Sequence, residues 1–184
     1  MKIRLVIIVL GLLWSSNSYA VENWKIEKIL KNTFTEVSTA GLMCKGCEYR
    51  LHISKKGGCK TVEDGFTFYT RVNNPEILNM VGKKIKLQAM GSTIVSEIKA
   101  VVPVLNGSHH LVWITNGLYE LDGHKEFLGE KETMEVKLLV LFDDFKKRTG
   151  WEAKDFFDEP TNSWSLKNVS EALEQGQKIC LGNL

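Results

Sequence analysis

The stretch KIKLQAMGSTIVSEIKAVVPV, residues 84–104, indicates that the centre of the chain forms a β-sheet. In its first part Ile85, Leu87 and Ala89 alternate with polar residues, which is typical of a strand with one face on the core. Residues 94–104 are apolar and rich in β-branched side chains, and they predict a second, more deeply buried strand.

The same period of two appears upstream of this stretch. Tyr49, Leu51 and Ile53 alternate with Arg50 and His52, and a lysine- and glycine-containing turn follows at residues 55–58. Phe66 and Phe68 mark a further strand beyond that turn. These segments extend the predicted sheet to the N-terminal side.

Turn signals divide the residues downstream. Asn106-Gly107 and Asn116-Gly117 are the preferred pairs for two-residue hairpin turns, because both positions tolerate positive φ. Asp122-Gly123 predicts another turn. Residues 134–142 fit a strand that passes into a helix at about Phe142.

Helices are predicted at the two ends of the exported part of the chain. Residues 22–38 place five apolar side chains at helical spacing, which predicts an amphipathic helix; these are Ile26, Ile29, Leu30, Phe34 and Val37. Near the C-terminus, Ser165 is a candidate N-cap of a short helix that Gly176 would end. A last strand at residues 178–181 would carry Cys180. The predicted fold class is α+β: a central, mostly antiparallel sheet with an N-terminal amphipathic helix and short C-terminal helices.

The first twenty residues have the features of a bacterial signal peptide. Lys2 and Arg4 precede an apolar run at residues 5–14, and Ser18-Tyr19-Ala20 supplies the small–x–small pattern of a cleavage site. The apolar run is too short for a transmembrane helix, as are the later apolar stretches. We therefore predict a signal peptide at residues 1–20 and a single exported domain at residues 21–184, located in the periplasm or secreted.

The charge of the predicted mature chain does not favour nucleic-acid binding. The chain has 24 Lys and Arg against 22 Asp and Glu, and removal of Lys2 and Arg4 leaves 24 − 2 = 22 basic residues, hence no net charge. Basic residues concentrate in the N-terminal half, where they could form a patch that binds an acidic partner or an anionic surface; these are Lys45, Arg50, Lys55, Lys56 and Lys60. The alternative is that they pair with the acidic C-terminal half.

Four cysteines lie in the predicted exported part, at Cys44, Cys47, Cys59 and Cys180. Export permits disulfides, and two structural disulfides are the favoured interpretation, with three pairings open. One alternative is a thiol–disulfide oxidoreductase that uses Cys44 and Cys47, which have the spacing of a redox pair. The other is a zinc site at Cys44, Cys47 and Cys59, completed by Cys180 or His52, although an oxidising compartment opposes thiolate ligands.

No catalytic motif accompanies these cysteines. The sequence lacks a serine elbow, an HExxH pair and a phosphate-binding glycine loop, and isolated histidines such as His124 are typical of surface or hydrogen-bonded positions. No cofactor or metal is therefore predicted.

A dense group of aromatic residues near the C-terminus has two interpretations. Trp151, Phe156, Phe157 and Trp164 lie among acidic residues, a composition that suits a partner-binding surface. Core packing against the sheet is the alternative. The sequence thus predicts an exported, disulfide-linked, non-catalytic protein that binds another protein, of the inhibitor, immunity or secretion and virulence accessory type.

Overall fold

A computed structural model of the chain describes residues 19–31, 33–44, 46–70, 75–104, 107–142 and 148–183. Nearly all of the predicted signal peptide lies outside these residues. The described strands join in one antiparallel sheet of eleven: β1 (Tyr19–Val21), β2 (Trp24–Ile29), β3 (Phe34–Ala40), β4 (Glu48–Ser54), β5 (Thr61–Thr70), β6 (Lys84–Ala89), β7 (Ser92–Val104), β8 (His109–Glu120), β9 (Thr133–Phe142), β10 (Arg148–Glu152) and β11 (Thr161–Ser165). The described helices are α1 (Leu121–Gly129), α2 (Val169–Leu181) and two 3₁₀ helices, Pro75–Met80 and Ala153–Asp155.

The strand order brings the two ends of the sheet together. Neighbouring strands follow the order β1-β2-β3-β4-β5-β8-β7-β6-β9, and both β10 and β11 pair with the remaining edge of β9. The amide of Leu42, just after β3, donates a 2.8 Å hydrogen bond to the carbonyl of Ser163 in β11. The sheet therefore curls around an interior core, and α2 packs against β1–β4.

The predicted N-terminal helix is wrong, because residues 24–40 form the two paired strands β2 and β3. Trp24 and Ile26 are buried at a spacing of two, whereas Leu30, which a helix would bury, is 68% exposed. Leu30 and Lys31 take positive φ and reverse the chain between the strands. The β-branched run of β3 favours strand over helix, and pairing with β4 fixes it. The fold class is accordingly a mainly antiparallel β fold with two α-helices among the described residues, instead of α+β.

The C-terminal prediction is also corrected. Residues 169–181 form one continuous helix, α2, so there is no strand at residues 178–181 and Cys180 is helical. Gly176, predicted to end the helix, lies inside it. A Cβ atom at this position would come within 2.7 Å of the Val37 side chain and 3.0 Å of that of Ile53. Glycine is required here because α2 approaches the sheet closely, not because the helix ends.

The predicted hairpin at Asn116-Gly117 does not form. β8 runs without interruption through both residues, and Gly117, with a φ of 145°, lies at a bulge opposite Asp64 and Gly65. The predicted turn at Asp122-Gly123 is the first turn of α1, where the Glu120 side chain accepts a hydrogen bond from the Gly123 amide. Asn106 lies outside the described residues, although β7 and β8 pair up to Val104 and His109 on either side of it.

The strand predictions at residues 49–53, at Phe66 and Phe68, and at residues 85–89 are confirmed by β4, β5 and β6. Residues 134–142 lie in β9, and the helix predicted from about Phe142 falls largely on residues outside the description. The strand at residues 94–104 is part of β7, but it is not deeply buried, since Val95 is 46% and Val102 50% exposed. Its buried residues, Ser96 and Ile98, are separated by a half-buried one, as expected for a strand with one face on the core.

One cross-strand ion pair on the sheet gives a pH-dependent prediction. Glu97 on β7 accepts hydrogen bonds from Lys84, its partner on β6, and from Lys99, and these lower the pKa of its carboxyl to about 2. We expect the Glu97→Gln variant to lose less than about 1 kcal/mol of unfolding free energy at neutral pH, because this exposed pair is screened by solvent. The wild-type advantage should vanish as the pH falls from about 4.5 to about 2, and it should shrink in high salt. Urea unfolding of both proteins across this range measures it, and an advantage that grows on acidification would contradict the assignment.

Candidate functional site

The main candidate site is a cavity of about 660 Å³ that is lined by residues of β5–β9 and α1 and is called here the β8–α1 pocket. Its walls are mainly apolar and include Met90, Ile94, Phe127 and Met134. A volume in this range suits a small organic molecule. Two of its polar residues, Asn116 and His124, lie against one carboxylate, and Ser92, Glu120 and Lys131 line the pocket elsewhere.

That carboxylate belongs to Asp64 on β5, which is only 3% exposed. The Tyr49 hydroxyl donates to Asp64 Oδ2 over 3.1 Å, and Asn116 Nδ2 donates to Asp64 Oδ1 over 3.3 Å. Nε2 of His124, from α1, lies 3.0 Å from the same Oδ2. A buried carboxylate requires such partners, since an isolated one would lose its hydration without replacement.

The orientation of Asn116 is fixed by a further contact. Ser96 Oγ on β7 donates to Asn116 Oδ1 over 2.6 Å, so the amide nitrogen is turned toward Asp64. The bulge opposite Asp64 and Gly65 shifts the register of β8 at this point and aligns Asn116 with the carboxylate. The Asn116-Gly117 pair therefore builds the site instead of a turn.

Aromatic stacking, as well as the contact with Asp64, holds the His124 ring in place. Its ring lies parallel to that of Tyr119, with centroids 4.5 Å apart, and Phe127 flanks it at 6.3 Å. Although Nε2 is close to Asp64, the contact lacks the alignment of a hydrogen bond, and this buried nitrogen has no other partner. The ring nitrogen is a polar group that a ligand can still engage.

The two tyrosines of this cluster remain protonated. Burial raises the pKa of Tyr49 well above its ordinary value, and the negative charge of Asp64 raises it further. Burial and Asp64 likewise raise the pKa of Tyr119. The protonated Tyr49 can donate its hydrogen bond to Asp64, which is the hydrogen-bond acceptor at the base of the cavity. Among the described residues no serine hydroxyl or thiol is hydrogen-bonded to His124, so the pocket has the features of a binding site without a nucleophile–base pair.

All four cysteines are paired, as Cys44–Cys47 and Cys59–Cys180. The predicted disulfides are confirmed, and the pairing that the sequence left open is resolved. With every sulfur in a disulfide, the zinc alternative lacks its thiolate ligands. The described residues contain no group of three or more His, Cys, Asp or Glu side chains placed to hold a metal ion.

The predicted aromatic surface lies largely in the core. Phe156, Phe157 and Trp164 are at most 1% exposed. The Trp164 ring stacks on Phe66 at 5.2 Å, and Phe157 meets Phe68 at 6.0 Å. These three rings hold the curled sheet together. Trp151 lies in β10, and its side chain is outside the description.

The residues of the predicted basic patch are divided between two places. Lys55, Lys56 and Lys60 are exposed in and beside the β4–β5 turn, and Lys45 lies outside the described residues. Arg50 is on β4, where it contacts Glu48 and lies 3.5 Å from Glu36 Oε2. Its charge is therefore compensated locally.

The partner of Arg50 is a buried glutamate with a second contact. Glu36 Oε2 is 2.7 Å from Nε2 of His52, and both residues are at most 5% exposed. Burial acts to raise the pKa of Glu36, but the His52 hydrogen bond and the Arg50 charge outweigh it and lower that pKa. This pair stabilises the outer face of β3–β4.

Sequence reasoning did not find the β8–α1 pocket. Asp64, Asn116 and His124 carry no motif, and the local signal of Asn116 favoured a turn. Only the pairing of β5 with β8 and the return of the chain into α1 bring the three together. The one signal available was the two-residue spacing of Val62, Asp64 and Phe66, which puts Asp64 on the same face of a strand as two apolar residues.

The fold and the pocket define a curled antiparallel β protein with two disulfides and a polar cluster at the base of an apolar cavity. The chain matches no known protein-family model, and neither the curated proteins nor the solved structures contain a significant match. The two disulfides are compatible with an exported, disulfide-stabilised protein. None of the helices in the described part of the chain has the length and apolar character needed to cross a membrane.

Proposed function

We propose that this protein is an exported binding protein whose ligand site, the β8–α1 pocket, is non-catalytic. The observation that carries the proposal is Asp64, a buried carboxylate with hydrogen-bond donors around it, at the base of a mainly apolar cavity of about 660 Å³. Binding sites for small molecules commonly combine apolar walls with a few converging polar groups. The predicted signal peptide and the two disulfides support export.

The chemistry of the walls specifies the class of ligand. Tyr119, Phe127 and Met134 offer aromatic and thioether surface to a flat, apolar body. Asp64 can only accept hydrogen bonds when ionised, so the polar group of the ligand should be a donor such as an N–H. The proposed ligand is an aromatic or aliphatic molecule with one donor group at its end. A role as an inhibitor or immunity factor that binds another protein remains a prediction for the exposed surface.

A fluorescence experiment with two tryptophan variants tests the pocket. N-phenyl-1-naphthylamine is a suitable probe, since it has an apolar body with one N–H and brightens in apolar surroundings. Ile94 lines the pocket, whereas its neighbour Val95 is exposed and is not among the lining residues. We expect saturable binding by the wild type, at least about tenfold weaker binding by Ile94→Trp, in which the larger ring fills the cavity, and unchanged binding by Val95→Trp.

The matched pair separates occupation of the pocket from adsorption to any apolar surface. Circular dichroism and thermal unfolding should show that both variants are folded. Asp64→Asn, which keeps the size but removes the charge of the acceptor, should weaken binding of the probe more than that of naphthalene, which has no donor. Equal affinity of the wild type and Ile94→Trp would refute the proposed site.

A further inference from the structure

The Cys44–Cys47 disulfide lies at a second cavity, which shares no lining residue with the β8–α1 pocket. This cavity has a volume of about 230 Å³ and is lined by both cysteines together with Tyr69, His109 and Asp158. Cys44 is half-buried, whereas Cys47 is only 1% exposed. Cys44 is therefore the more accessible residue of the pair.

The loop that holds these cysteines is anchored by hydrogen bonds that involve no sulfur atom. The Gly41 amide donates to the Cys47 carbonyl over 2.7 Å, which continues the β3–β4 pairing into the loop. Trp164 Nε1 donates to the same carbonyl over 3.0 Å. Opening the disulfide would leave both contacts in place.

Asn162 on β11 anchors the other side of the loop. Its Oδ1 accepts hydrogen bonds from the amides of Met43 and Cys44 at 3.2 and 3.3 Å, and Asn162 itself is fully buried. Gly41 allows this approach, since a Cβ atom there would lie 2.2 Å from Asn162 Nδ2. The loop conformation is thus determined by the surrounding strands as well as by the disulfide.

The second disulfide differs in its burial and in the length of chain that it spans. Cys59 and Cys180 are 2% and 6% exposed, and they link the β4–β5 turn to α2 across 121 positions of the chain. The Cys44–Cys47 link spans only three positions. The long link constrains the fold, whereas the short one adds little constraint to a loop that is already anchored.

We propose that Cys44–Cys47 is a redox-active disulfide that oxidises dithiols, an activity separate from ligand binding in the β8–α1 pocket. A thiolate of the external dithiol attacks Cys44 Sγ, the Cys44–Cys47 bond breaks, and Cys47 leaves as a thiolate that takes up a proton. The second thiol of the external molecule then attacks that molecule's first sulfur, which is bonded to Cys44 in the mixed disulfide. Cys44 leaves as a thiolate and takes up a proton. The external dithiol loses two electrons and two protons, and Cys44 and Cys47 become thiols.

The size of the cavity limits the class of substrate. A space of about 230 Å³ beside the half-buried Cys44 suits a cysteine side chain on a flexible segment better than a folded surface. The substrate class is therefore a small or unfolded peptide that contains two reduced cysteines. A synthetic two-cysteine peptide is the probe.

Limited reduction of the full-length oxidised protein is the first test. With one equivalent of dithiothreitol under native conditions, followed by alkylation and peptide mapping, we expect alkylated Cys44 and Cys47 at least about tenfold ahead of Cys59 and Cys180. Circular dichroism should remain that of the oxidised protein. Simultaneous opening of both disulfides, or loss of the fold when the Cys44–Cys47 bond opens, would overturn the proposal.

Single-cysteine variants test the assigned direction of attack. In Cys47→Ser the free Cys44 should form a mixed disulfide with glutathione disulfide at least about tenfold faster than Cys47 does in Cys44→Ser. Equal rates would overturn the assignment of Cys44 as the attacked sulfur. Both variants should fail to oxidise the two-cysteine peptide.

The pocket variant Ile94→Trp separates this activity from the proposed ligand binding. It should oxidise the peptide like the wild type even though it binds the fluorescent probe weakly. Oxidation of the peptide by Cys44→Ser at the wild-type rate would refute the redox proposal and leave the binding proposal untouched.

Discussion

Removal of the Cys59–Cys180 disulfide should destabilise the protein far more than removal of the Cys44–Cys47 disulfide. A cross-link lowers the entropy of the unfolded chain according to the length of the loop it closes. For a separation of 121 residues the expected loss is about 5 kcal/mol, and for a separation of 3 it is about 2 kcal/mol. A loss of about 5 kcal/mol is comparable to the whole stability of many domains of this size.

The measurement is urea unfolding of two double variants, Cys59→Ala/Cys180→Ala and Cys44→Ala/Cys47→Ala. Alanine avoids placing a hydroxyl at the buried positions, and each double variant serves as the control for the other. The m-value should rise in the first variant, because its unfolded chain exposes more surface. Equal losses in the two variants would mean that unfolded-state entropy does not govern the difference.

The strands that could be predicted from the sequence are those whose alternation is visible locally. In β4 and β6 the inward positions are apolar and the intervening ones mostly polar or charged, and in β5 the pair Phe66 and Phe68 shows the same spacing, so the period of two stands out without knowledge of the partner strands. In β2 and β3 the same alternation is obscured by Ile29, Leu30 and Phe34, which lie at or next to the connecting turn and coincide with helical spacing. Pairing of β3 with β4 decides the structure there, and it is a tertiary effect.

Near the C-terminus the error is the reverse, because a strand is predicted at residues 178–181 where the chain is helical. Gly176 has the local features of a helix stop, but its neighbours across the interface are Val37 and Ile53 of the sheet. A glycine that permits close packing cannot be distinguished from one that ends a helix without knowing what the helix packs against. The misplaced Cys180 strand follows from that one interpretation.

The candidate site could not be predicted from local sequence patterns, because its residues are distant from one another in the chain. The distances that define it join Asp64 to Tyr49, Asn116 and His124, which are separated by 15 to 60 positions and lie on different elements. The cysteines could be predicted in part. Their spacing and the predicted export indicated disulfides, but only the position of α2 beside the β4–β5 turn selects the pairing.

Trp164→Ala should be the most damaging single substitution in the core, with an expected loss of about 3–5 kcal/mol of unfolding free energy. The Trp164 side chain is fully buried and packs against Tyr49, Phe66 and Phe68 with ring centroids 5.2–6.1 Å apart. Its indole N–H also donates to the Cys47 carbonyl. Truncation would leave a large cavity and remove one of the two hydrogen bonds to the Cys47 carbonyl at the place where β11 meets the loop after β3.

Two further substitutions help to interpret this loss. One separates the hydrogen bond of Trp164 from its packing, and the other is a control at an exposed side chain. Trp164→Phe keeps an aromatic ring but removes the N–H, so we expect a loss of about 1–2 kcal/mol from the hydrogen bond and a smaller cavity. Leu42→Ala, at a neighbouring side chain that is 60% exposed, should change the stability by less than about 0.5 kcal/mol. Urea unfolding of all three gives the comparison. If Trp164→Ala were as stable as the wild type, its ring could not be a core group, and the partner-binding surface predicted from the sequence would become the better explanation of the aromatic cluster.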